Sequence, residues 1–88
     1  MVEIYLAPRF KKTYISLQGK IKIKAAEKEK IFKQNTFHSS LDTHRLHGKW
    51  QNYWSFSVNK SYRIMFQFLD ATKTKVVFIN IGTHEIYK

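Results

Sequence analysis

The sequence predicts an α+β fold: one small domain, residues 1–88, with elements in the order β-α-α-β-β-β. Three observations lead there. Helix-period apolar positions with dense lysine fill the stretch from Pro8 to Asn35. Apolar residues at every second position recur after Tyr53. The connections between those later stretches are short, so they form an antiparallel meander with the helices gathered before it.

Each element has its own cause. Val2, Ile4 and Leu6 alternate with Glu3 and Tyr5, which suits a first strand over 2–6. Pro8 fits the first turn of a helix, where a missing N–H costs nothing. Phe10, Tyr14 and Leu17 supply that helix's apolar stripe, and Gly19 is placed to close it in a left-handed cap. A second helix is expected from Lys20 to Asn35, its stripe made of Ile21, Ala25, Ile31 and Phe32. The run Ile21-Lys22-Ile23-Lys24 also fits a strand, but Ala25-Ala26-Glu27-Lys28-Glu29-Lys30 favours helix by propensity. Residues 36–51 lack any period and read as a long loop carrying His38, His44 and His47.

Trp54, Phe56 and Val58 then mark a second strand, and Asn59-Lys60 a tight hairpin. Tyr62, Ile64, Phe66 and Phe68 form the core face of a third strand. Parity therefore puts Arg63, Met65 and Gln67 on the opposite, uncovered face, where Arg63 is either solvated or a ligand for an anion. The last strand runs from Lys75 to Ile81, ends at Gly82, and delivers Thr83, His84, Glu85 and Tyr87 to the C-terminus.

Composition bounds the function. Sixteen Lys and Arg against six Asp and Glu give a formal charge of +10, modestly beyond the magnitude of about 2–8 usual for a small domain. That charge points to a polyanionic partner, nucleic acid or an acidic protein, or else serves only to keep a small domain dispersed. The absence of Cys excludes disulfides, a thiolate zinc site and a cysteine nucleophile, and suits a reducing cytoplasm. No apolar run approaches the roughly 20 residues of a membrane span, and the N-terminus is too short and acidic for a secretory signal. The expectation is a cytoplasmic protein without a membrane partner.

Several chemistries can be set aside. His44 and His47 have a spacing that could chelate zinc from one helix face, yet Gly48 and the irregular surroundings oppose a helix and few acids stand nearby. Gly19, Gly48 and Gly82 are too widely spaced for a phosphate-binding loop, and no Gly-x-Ser-x-Gly occurs. Metal-independent cleavage of RNA is compatible with what remains. A base takes the 2′-hydroxyl proton, a cation steadies the phosphate, and an acid protonates the leaving 5′ oxygen. Histidines, an arginine and a tyrosine suffice, although many basic domains own them.

The order of residues adds more. Thr43-His44-Arg45-Leu46-His47-Gly48-Lys49-Trp50, Tyr53-Trp54-Ser55-Phe56-Ser57-Val58, Ser61-Tyr62-Arg63-Ile64-Met65-Phe66 and Ile81-Gly82-Thr83-His84-Glu85-Ile86-Tyr87 follow one another in register. Together they resemble the RelE/ParE superfamily of type II toxins, nearest to the RelE-like ribonuclease branches typified by YafQ and YoeB. The N-terminal half resembles them only in pattern.

The resemblance implies two N-terminal helices packed on a curved antiparallel sheet of microbial-RNase type, with the site on its concave face. It implies a toxin that cleaves mRNA at the ribosome without metal or cofactor, and an antitoxin partner that wraps it. It places His44 as general base, Arg63 on the scissile phosphate, His84 as general acid and Tyr87, one residue out of step, near the base or phosphate. Arg45, His47, Lys49, Trp50 and Lys60 become candidate RNA contacts; for Trp50 core packing is the competing role, for His84 an ordinary exposed tail, and for Tyr87 simple packing of the tail. Ser57 and Ser61 stand where YafQ-like members carry a histidine and an aspartate. The alternatives are a ParE-like toxin acting on a protein such as gyrase, which needs no histidine pair, and an inactive module that binds RNA or antitoxin.

Overall fold

The computed structural model describes residues 1–87; Lys88, the last residue of the expected domain, lies outside them. Five strands form one sheet: β1 (Glu3–Leu6), β2 (His44–Arg45), β3 (Trp54–Ser57), β4 (Arg63–Phe68) and β5 (Lys75–Gly82). Their spatial order is β1-β5-β4-β3-β2. Two helices, α1 (Pro8–Ile15) and α2 (Gly19–Gln34), come between β1 and β2 in the chain. The expected α+β order is present, with one strand added in the long loop.

The sheet is mixed rather than antiparallel throughout, because β1 runs parallel to β5 while β2 to β5 form the meander. Local sequence cannot specify that direction. It depends on which way the helical pair returns the chain across the sheet.

Pro8 opens α1 as expected. Gly19 does not cap that helix, which ends at Ile15 with right-handed Ser16 as cap. Ser16 closes it by donating its hydroxyl to the Thr13 carbonyl at 2.8 Å, and its own N–H also turns back on that last turn. Gly19 instead begins α2. In α2 the buried positions are Ile21, Ala25 and Phe32; Ile23 lies off this stripe and is exposed.

Phe32 is the hub of the core. Its ring centroid lies 4.6 Å from Phe56, 5.0 Å from Phe66 and 5.5 Å from Phe78, so one helical residue clasps β3, β4 and β5 at once. Leu41, Val58, Ile64, Val76 and Ile81 complete the same layer.

A β-bulge explains how β5 serves both sheet faces. Met65 pairs with Asn80 while the next residue, Phe66, pairs with Phe78, so Ile79 is the extra residue. Before the bulge the even positions Val76 and Phe78 face the helices; after it the odd Ile81 does.

Two hairpin details differ from the sequence reading. The β3–β4 connection spans 58–62 rather than a two-residue turn, with the Asn59 side chain accepting from the Ser61 and Tyr62 N–H groups. Met65 lies on the face expected to be uncovered, yet it is only 3% exposed. Two short 3₁₀ turns, Gly48–Trp50 and His84–Tyr87, lie on that side and cover part of it.

Candidate active site

Strand register decides which candidates meet. Ser57, Arg63 and Gly82 are successive Cα partners across β3, β4 and β5. His44, Ser55, Met65 and Asn80 form the next row of the same face, two residues along β4. The helix-packed layer, Phe56 with Ile64 and Trp54 with Phe66, points the other way.

The C-terminal turn His84–Tyr87 folds over the Gly82 end of β5. A Cβ on Gly82 would lie 2.6 Å from Ile86 Cγ2, so glycine is required here by close approach. The turn is tied down elsewhere too: Trp50 donates its indole N–H to the Tyr87 carbonyl at 2.9 Å. That bond joins residues 37 apart and gives the chain end a fixed place.

Within this frame three candidates are contiguous. The Arg63 guanidinium lies 5.8 Å from the Tyr87 ring centroid, a cation–π distance. The His84 and Tyr87 rings meet edge to face, with centroids 5.5 Å apart and planes at 90°. Arg63 Nε and Tyr87 Oη are both buried, and neither has a hydrogen-bond partner among the described residues. A donor left unsatisfied costs free energy unless something external meets it. An arginine Nε and a phenol beside each other suit an anionic oxygen.

His44 stands apart from this group. It lies on β2, two strands from Arg63 and two residues further along, about 12 Å between Cα atoms by sheet spacing. Its Nδ1 is 2.8 Å from the Asp42 carbonyl oxygen. A carbonyl only accepts, so Nδ1 carries the proton and Nε2 presents a lone pair. Asp42 adopts a left-handed backbone, φ 50°, which brings that carbonyl back toward His44. His44 is exposed, as a group that must collect a proton from a ligand should be.

The remaining candidates divide. Lys60 is exposed in the 58–62 loop, at the Arg63–Gly82 end of the sheet. Lys49 Nζ sits 5.5 Å from the Trp50 ring centroid and is exposed. His47 is exposed at the start of the Gly48–Trp50 turn. Arg45 follows His44 in the strand and so leans to the opposite side, where its Nε donates to the Gln51 carbonyl at 2.7 Å. Trp50 is half-buried and positions the tail. Ser57 is on the Arg63 row, and Ser61 sits in the loop beside it. Among the described residues, no group of three or more His, Cys, Asp or Glu side chains is placed to hold a metal ion.

The sequence reading missed Arg9 and Asn80. They line a cavity on this face together with Trp50, Met65, Ile79 and Ile86. The bulge is why: strict alternation from Val76 gives no means of placing Ile79 and Asn80 side by side.

A small mixed sheet with helices on one face and a basic, aromatic cluster on the other defines a class shared with known toxins. The model of HigB-like toxins, RelE-like toxins of type II toxin-antitoxin systems, matches residues 10–81. The chain therefore belongs to the HigB-like toxin family. The match includes His44 and Arg63 but stops before His84 and Tyr87.

The crystal structure of YafQ from E. coli strain BL21(DE3) superposes with a TM-score of 0.77 at 19% identity, covering 99% of this chain and 98% of that one. A YoeB/ParE toxin from Agrobacterium tumefaciens gives 0.77 at 14% identity, covering 94% and 99%. YafQ within the E. coli DinJ–YafQ toxin-antitoxin complex gives 0.74 at 20% identity, covering 97% and 94%. Identities this low show a shared fold. No curated protein matches the chain by sequence. Among the described residues no helix is long and apolar enough to cross a membrane.

Proposed function

We propose that the chain is an endoribonuclease toxin that cleaves mRNA without a metal, acting at the ribosome and held in check by an antitoxin. The observation that carries this reading is the Arg63–Tyr87–His84 group, in which two buried polar atoms face no partner among the described residues. A scissile phosphate held by the outer nitrogens of the Arg63 guanidinium would draw on the charge of this group.

In this mechanism His44 Nε2 takes the proton of the ribose 2′-hydroxyl. The 2′ oxygen forms a bond to phosphorus as the bond to the 5′ oxygen breaks. Arg63 and the Tyr87 hydroxyl steady the nonbridging oxygens, and His84 donates a proton to the departing 5′ oxygen. The products are a 2′,3′-cyclic phosphate and a 5′-hydroxyl end. Ser55 and Met65, both nearly fully buried, stand between His44 and Asn80 in one row of the sheet. Exposed Lys49 and Lys60 would hold flanking phosphates. The charge of +10 suits both RNA and an acidic antitoxin.

The test pairs His84→Ala and Arg63→Ala with growth assays and primer-extension mapping in cells. The parent arrests growth and cuts mRNA, and each variant loses about 100-fold or more of the cleavage rate. Assays with purified ribosomes and with bare RNA assign the ribosome's part. Arrest that persists in both variants while mRNA stays intact would show a toxin working on a protein target.

A further inference from the structure

Before His44 in the chain, a second histidine caps the short 3₁₀ turn Ser39–Leu41. His38 Nδ1 lies 3.1 Å from the Ser40 backbone nitrogen and 2.9 Å from Ser40 Oγ. A backbone N–H only donates, so His38 Nδ1 is the acceptor and the proton of its neutral ring sits on Nε2. That is the opposite tautomer to His44, whose Nδ1 donates to the Asp42 carbonyl.

The turn between the two histidines fixes what His44 meets. Leu41 is fully buried in the core and anchors the turn. The Leu41 and Asp42 N–H groups return to the His38 and Ser39 carbonyls at 3.0 and 3.4 Å. Lys28, on α2, donates to the Ser40 carbonyl at 3.4 Å. Past the turn, the Thr43 hydroxyl donates to the Thr36 carbonyl at 2.6 Å, tying the exit of the segment to its entry. Asp42 sits between these ties with φ 50° and ψ 44°, a conformation that Gly, Asn and Asp tolerate and β-branched residues resist. The turn thus sets the direction of the Asp42 carbonyl, which meets His44 Nδ1 at 2.8 Å. His44 itself is exposed, so its ring depends on that bond rather than on close packing.

We propose that His38 is a positioning residue for the base at His44. As an uncharged acceptor it closes the turn that aims the Asp42 carbonyl, and so keeps the His44 proton on Nδ1 and the lone pair on Nε2. The inference rests on the ribonuclease reading for its consequence in cleavage, whereas the state of the His44 ring is measured apart from any cleavage. Without the cap, the Ser40 N–H turns to water and the hold on Asp42 loosens. His44 then samples both neutral tautomers, and a ring protonated on Nε2 cannot take a 2′-hydroxyl proton at that atom.

The test uses the full chain, ¹⁵N-labelled, at about pH 8.5, where a free imidazole is neutral. Long-range ¹H–¹⁵N spectra of the histidine rings show which nitrogen carries each proton, and cleavage is measured alongside. In the parent, His44 should be protonated on Nδ1 and His38 on Nε2. His38→Ala should keep the parent's backbone spectrum outside residues 36–44 and mix the His44 tautomers, with kcat falling about 10-fold while KM moves less than about 2-fold. His38→Asn supplies a capping oxygen without an imidazole and should restore both the His44 signals and the rate. Asp42→Asn keeps a residue that accepts the left-handed conformation and removes the charge, so the His44 signals should persist; Asp42→Val should lose them. Three results would overturn the proposal: a parent His44 protonated on Nε2, a His38→Ala variant whose His44 signals match the parent's, or an asparagine at 38 that restores nothing. Loss of the signals in Asp42→Asn would overturn it too, by making the carboxylate the orienting group. A parent that cuts no RNA ends the nuclease reading; unchanged His44 signals in His38→Ala end this one.

Discussion

Asp70 shows how one exposed side chain can organise a turn, here at the end of β4 and β5 opposite to Arg63 and Gly82. Its carboxylate accepts from the Thr72 and Thr74 hydroxyls and from the Thr74 and Lys75 N–H groups, closing the β4–β5 connection. The hydroxyl bonds from Thr74 and Thr72, in that order, hold its pKa well below the usual carboxylate range. A depressed folded-state pKa adds stability that is fully present above the unfolded value of about 3.9 and is lost as pH falls through the folded one. Asp70→Asn should therefore unfold at a lower temperature than the parent at pH 7. The gap between the two melting temperatures should narrow steadily below about pH 4. Thermal melts across pH 2–7 measure it.

At the scale of elements, the informative piece is the His84–Tyr87 turn. Three contacts place it: Gly82 beneath Ile86, the Trp50 indole on the Tyr87 carbonyl, and Tyr87 against Arg63. Gly82→Ala inserts a methyl group where Ile86 Cγ2 already stands. β5 is fixed by β4 and β1 for most of its length, so the turn gives way first. The expected outcome is a folded protein, within about 2 kcal/mol of the parent, whose cleavage rate falls about 10-fold or more because His84 and Tyr87 are displaced. Denaturant melts alongside single-turnover cleavage separate the two effects.

For the whole molecule, the core governs the shape and the charge of +10 sets the field around it. Helices cover one sheet face through the Phe32 cluster, which leaves the other face to the Gly48–Trp50 and His84–Tyr87 turns. If Lys49, Lys60 and Arg63 each neutralise a phosphate, log affinity for single-stranded RNA should fall with log salt at a slope of about −2. Lys49→Ala and Lys60→Ala should each make that slope shallower by about 0.7 without altering which base is preferred at the cut. Fluorescence binding titrations at several salt concentrations provide the check.

Much of this was legible in the chain itself. Short-range periodicity specifies the helices, the meander strands and the core residues Phe32, Phe56, Ile64 and Phe66, because period and burial are local properties of a segment. The placement of Arg63 opposite the core follows from the same parity. Tertiary structure alone decided four things: the parallel seating of β1 on β5, the burial of Met65, the contact of Tyr87 with Arg63, and the bulge at Ile79 that pairs Asn80 with Met65. Each depends on residues far apart in sequence meeting, as Trp50 meets Tyr87, or on one extra residue resetting the alternation. No local period encodes either event, since it is the packed sheet that fixes which strands adjoin and where their register slips.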